Sequence, residues 1–209
     1  MFARCREVFD EYYRLAEAKK IRGFRVPLGL EAKERLEQMD WLLTQIRSHE
    51  DQLSATNEQS RAATEAHIER LEAEGLPFDT PIPPEVKTHI YRSTELMFEI
   101  RLLVECFYYF AARARGMIRD MPELNSFEAA GVRDVRNHLI EHPEGRSSQV
   151  LSRSFGFGGP NGPIVKALRD TSETAHPDGG LYANAHEFAL NLETALKGAI
   201  GSLVPSQGP

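Results

Sequence analysis

The stretch EVKTHIYRSTELMFEIRLLVECFYYFAARARGMIR, Glu85–Arg119, decides the fold. Its apolar residues recur at helical rather than alternating spacing. Ile90, Met97, Ile100, Val104, Phe107, Ala111, Ala114 and Ile118 form one stripe, and Leu103, Tyr108 and Phe110 widen it. A helix apolar over this much of its circumference is packed on several sides. It is expected to run through the centre of an all-α helical bundle.

Outward from this segment, the chain reads as further helices. Gly75–Pro84 holds Pro77, Pro81, Pro83 and Pro84, which remove donors and fix backbone angles, so this stretch is a linker. Pro84 suits the first turn of the helix that follows. Before the linker, a long segment from about Leu30 to Glu74 carries the stripe Leu36, Met39, Leu43 and Ile46 in its first half. Residues 48–74 are polar and are expected either to project into solvent or to pack on a protein partner through Leu53, Ala66 and Leu71. A kink is expected near Ser48–Ser54, because the segment is long for a compact domain. A first helix is expected over Ala3–Lys20, followed by a break across Gly23–Gly29 that contains Pro27.

On the other side, Asn125 and Glu128 have the spacing of a capping box, so a helix is expected from about Ser126 to Glu141. The alternation within Gln149–Phe157, the glycine-rich turn at Gly156–Pro163 and Ile164–Leu168 together predict a small β-hairpin insertion near residues 149–168. A last helix is expected over Leu181–Leu203. The whole chain, 1–209, is read as a single domain.

Composition bounds the function. The chain has 209 residues and is 41% hydrophobic, enough for one sizeable core. A net charge of −6 argues against a protein that coats nucleic acid generally, yet leaves room for one that grips a phosphate locally. No apolar run is long enough for a membrane span, and the N-terminus lacks a signal core. Cys5 and Cys106 lie 101 residues apart, and Cys106, inside an apolar helical stretch, is expected as a buried thiol. A cytoplasmic location is expected.

The chemistry-bearing stretch is Val135-Arg136-Asn137-His138-Leu139-Ile140-Glu141-His142-Pro143. Arg holds a phosphate or carboxylate through two parallel hydrogen bonds. His passes a proton near neutral pH. Arg136 and His142 are six positions apart, about 9 Å along an ideal helix and about 120° around it. Pro143 disfavours the helical conformation at His142 and frees it from that geometry. Arg133, His138 and Arg146 lie in the same mildly basic stretch and are candidates to bind substrate. Other readings of these residues stand beside this one. Arg136 can pair with Glu141 while His142 caps open carbonyls. Asp134, His138 and His142 share a helical stripe that could chelate a metal, although no third His or Cys is near in sequence. Arg133 and His138 form an alternative Arg-to-His pair. Phe155 and Phe157 are more simply read as core than as base-stacking surfaces.

An Arg, a polar residue and a following His near a helix end, after a long apolar helix, resemble the signature of the HEPN superfamily. The resemblance rests on Arg133–His142 alone. It implies a helical bundle that dimerises and acts as a metal-independent endoribonuclease, of the kind found in toxin–antitoxin and antiviral defence systems. By this resemblance Arg136 would hold the scissile phosphate, Asn137 would orient it, and His142 would move the proton, with no metal and no cofactor. The implied partners are RNA or a nucleotide and a second copy of the chain. The alternative is a non-catalytic helical interaction module that binds a protein or nucleotide.

Overall fold

The computed structural model of the chain describes residues 1–136 and 180–203. They form α1 (Ala3–Ala18), α2 (Val26–Glu74), α3 (Pro84–Arg119), α4 (Ala130–Arg136) and α5 (Leu181–Leu203). The fold is all-α, with no strand among the described residues. The hairpin expected near residues 149–168 lies outside them. No helix among the described residues is long and apolar enough to cross a membrane.

The expected boundaries of α1, α3 and α5 agree with the structure to within about two residues. Two others do not. α2 begins at Val26 rather than near Leu30. Pro27 falls in its first turn, where a helix tolerates the missing N–H, so the proline starts this helix instead of breaking it. At the next residue but one, Gly29 is required by close packing: a Cβ there would lie 2.7 Å from the Tyr13 ring. α4 begins at Ala130 rather than Ser126. The Asn125 capping box does not form. The chain instead reverses through tight backbone bonds from Leu124 to Met121 and from Phe127 to Leu124, which bury Leu124 and Phe127. α2 is continuous through Ser48–Ser54.

The chain divides into two compact units, one comprising Met1–Leu43 and Glu105–Pro209, the other Thr44–Val104. In the first unit α1 packs along α5, and α4 packs on α5 as well. Phe188 of α5 is the hub: its ring meets Phe2 edge-on at 5.9 Å and Phe127 at 5.2 Å. In the same unit Phe9, Tyr12, Leu36, Met39, Phe107 and Leu192 are also buried. Full burial of side chains this large contributes about 1.5–3 kcal/mol each, which makes this cluster the main store of stability in the unit. Polar ties close its edges. The Tyr12 hydroxyl donates to the Pro122 carbonyl at 2.7 Å, and Asp40 accepts from the N-terminal amine and from Arg6, each at 3.1 Å.

The second unit is a helical hairpin. Gly75, at φ +63°, ends α2 in the left-handed conformation that glycine adopts without cost, while the Leu76 amide returns to the Leu71 carbonyl at 2.9 Å. The proline-bearing linker then leads into α3. Inside the hairpin Ile46, Leu53, Leu71, Val86, Leu96 and Ile100 are buried. The Ser93 hydroxyl donates to Asn57 Oδ1 at 2.8 Å, and His49 Nε2 lies 3.3 Å from Glu99.

Two details of this hairpin differ from the sequence expectation. Ile90 and Met97, assigned to the α3 core stripe, are exposed at 45% and 36%. The inward stripe there is Val86, Ser93, Leu96 and Ile100. Leu53 and Leu71, expected as docking points for a partner, are buried inside the hairpin, and Ala66 alone of that trio is exposed.

Candidate functional site

α4 carries the first part of the Arg-to-His stretch. Its described residues, Ala130–Arg136, pack against α5. Val132 and Val135 are buried and anchor its inner face. Gly131 lets it approach α5: a Cβ at that position would lie 2.3 Å from Asn184 Oδ1 and 3.2 Å from Glu187 Oε2. Asn184 is itself buried and donates through Nδ2 to the Tyr108 hydroxyl at 2.9 Å. Burial pushes the Tyr108 hydroxyl well above its ordinary pKa, with the Asn184 bond opposing, so Tyr108 stays a neutral partner. One polar contact thus joins α3 to α5, and the same asparagine seats α4.

Beside α4 lies a group of guanidiniums. Arg115 Nη2 donates to Glu128 Oε2 at 2.5 Å, and Arg119 Nη1 donates to Glu128 Oε1 at 2.6 Å. Arg119 Nε also donates to the Asn125 carbonyl at 3.2 Å. The Asn191 amide donates to the Glu128 backbone carbonyl at 3.1 Å. The Arg115 hydrogen bond, assisted by the charges of Arg115, Arg119 and Arg133, holds the Glu128 carboxyl below the usual glutamate range. Glu187 of α5 also lies against α4, beside the Gly131 position.

The structure places the expected site residues as follows. Arg133 is exposed on α4, within electrostatic reach of Glu128. Arg136 is the last described position of α4. Asn137, His138, His142 and Arg146 lie outside the described residues, and so does any geometry between Arg136 and His142. Arg115 and Arg119 were not anticipated. The one signal for them in the sequence is their i, i+4 spacing at the end of α3, which puts both on one face. No group of three or more His, Cys, Asp or Glu among the described residues is placed to hold a metal ion.

In comparisons with known proteins, no family model, no curated protein and no solved structure matches this chain.

Proposed function

We propose that the chain is a HEPN-like, metal-independent endoribonuclease acting through Arg136, Asn137 and His142. The observation that carries the reading is the Arg136-Asn137…His142 sequence, whose first residue lies on a helix seated against α5 by the Gly131–Asn184 contact.

In this mechanism Arg136 grips the two non-bridging oxygens of the scissile phosphate through its planar fork. Asn137 fixes the orientation of the phosphate. The ribose 2′-oxygen attacks the adjacent phosphorus, and the bond to the 5′-oxygen breaks. His142 moves the proton: its imidazole takes the proton of the 2′-hydroxyl and a proton from the resulting imidazolium passes to the leaving 5′-oxygen. The products are a 2′,3′-cyclic phosphate and a free 5′-hydroxyl, so no water or metal enters the step. Positioning of the 2′-oxygen and charge stabilisation at the phosphate supply most of the rate. The active form is a homodimer that brings two copies of the Arg136/His142 site together in one composite cleft. Cleavage of RNA in the presence of a chelator, with product ends identified by mass, tests the reading.

A second reading is a non-catalytic helical interaction module. It is favoured by the outward face of α3, where Tyr91, Phe98 and Leu102 are exposed at 67%, 68% and 52%. This reading predicts that the purified chain leaves RNA intact.

A further inference from the structure

The Thr44–Val104 hairpin is not held evenly along its length. In its outer part, residues 58–92, Leu71 and Val86 alone among the described residues are buried. They flank the linker, Leu71 in the last turn of α2 and Val86 in the first turn of α3. From Glu58 to Arg70, about 20 Å of helix axis, no residue of α2 is buried. The half-buried positions on that stretch are Ser60, Ala63, Thr64 and His67, side chains that gain little on leaving water. Nearer the base, Ile46, Leu53, Leu96 and Ile100 are all buried.

The polar ties divide at the same place. Ser93 to Asn57 and His49 to Glu99 cross from α2 to α3 at the edge of the outer part and below it. Within the outer part, among the described residues, the side-chain ties stay inside one helix. Arg61 lies 3.7 Å from Glu65, and Arg70 lies 3.2 Å from His67. The Thr64 and Thr88 hydroxyls donate to carbonyls one turn back, those of Ser60 and Pro84.

We propose that residues 58–92 open and close as one unit while the rest of the chain stays folded. The joint lies between Asn57 and Ser93, and Leu71 and Val86 are the latch. Two aliphatic side chains are a small hold beside the base of the hairpin and the aromatic core around Phe188, so the outer part opens far more often than the chain unfolds. Helical stability in a protein comes mainly from packing an apolar face, so the two arms unwind as they part. The inference concerns the hairpin alone and stands whether or not the chain cleaves RNA.

Native-state hydrogen exchange of the full chain tests it, with the α5 amides of Phe188–Leu196 as the internal reference. The amides of Glu58–Arg70 and Lys87–Arg92 are expected to share one level of protection, at least roughly 100-fold below the reference. Leu71→Ala is expected to lower that shared level by at least roughly 30-fold, the effect of deleting a buried leucine, and to leave the reference unchanged. Val86→Ala should act in the same direction by less, and serves if the leucine variant does not fold. Protection in the outer part equal to that of α5 overturns the proposal. So does protection that declines steadily from Asn57 to the linker, which is fraying rather than concerted opening. A variant that lowers the α5 amides as much as the outer ones, or that lowers neither, overturns it as well.

Discussion

Asn184 occupies the space into which any side chain at Gly131 would grow: a Cβ there would stand 2.3 Å from its Oδ1. Asn184 has little room to yield, because its Nδ2 is held by the Tyr108 hydroxyl in the core. Gly131→Ala is therefore expected to push α4 from α5 and to cost about 1–3 kcal/mol, the range for overpacking a filled site. Thermal unfolding gives the stability. Cleavage, if present, should fall with it, because Arg133 and Arg136 ride on the displaced helix. An alanine variant as stable and active as the native protein would show that α4 is seated in some other way.

Tyr108→Phe tests the other half of that contact. Removal of the hydroxyl leaves the Asn184 amide buried without its acceptor, at a cost of about 1–3 kcal/mol. Denaturant unfolding should show a lower midpoint with an unchanged slope. A loss below about 0.5 kcal/mol would mean that the amide finds another acceptor.

The two thiols should differ in reactivity. Cys5 is buried, donates to the Phe2 carbonyl at 3.1 Å, and has its pKa pushed up by burial to about 12. Thiolate is the reactive form, so Cys5 is inert in the native state. Cys106, expected from its apolar helical surroundings to be buried, is only half-buried on α3. A thiol reagent near neutral pH is expected to modify Cys106 first and to reach Cys5 only as the chain unfolds. Equal labelling rates would contradict the burial of α1 against the core.

Glu128 predicts an acid-side loss of stability. Its folded carboxyl titrates below the unfolded value, through the bonds from Arg115 and Arg119, so ionisation favours the native state. The contribution is complete above the ordinary glutamate range of about 4.3 and is lost as the pH falls through the lowered folded value. Glu128 is exposed, so the effect is modest. Glu128→Gln should reduce the drop in Tm between about pH 6 and about pH 3. An identical drop in the variant would remove the arginine cluster from the account.

The sequence made the helical class legible because periodicity is strong where burial is strong. α5 was bounded correctly, since Phe188, Leu192, Leu196 and Ala199 repeat at helical spacing and are all buried. Ile90 and Met97 were misassigned because α3 there carries two neighbouring apolar stripes, and periodicity alone does not say which one faces inward. The start of α4 was misread because Glu128 has the spacing of a capping residue. Its carboxylate is instead taken by guanidiniums 13 and 9 positions away, and local sequence cannot weigh such partners. For the same reason Arg133 and Arg136 were legible as candidates while Arg115 and Arg119 were not.

Metal-independent cleavage of RNA by Arg136 and His142, as proposed above, can be measured directly. The direct measurement is cleavage of a labelled RNA by the native chain, His142→Ala and Arg136→Lys, side by side with excess chelator present. The native protein should retain its rate in chelator. His142→Ala should lose about 10²-fold or more, the usual contribution of a positioned acid or base. Arg136→Lys should be impaired as well, because a point charge does not replace a two-pronged contact. Full activity in His142→Ala, or activity that vanishes with the chelator, would contradict the mechanism.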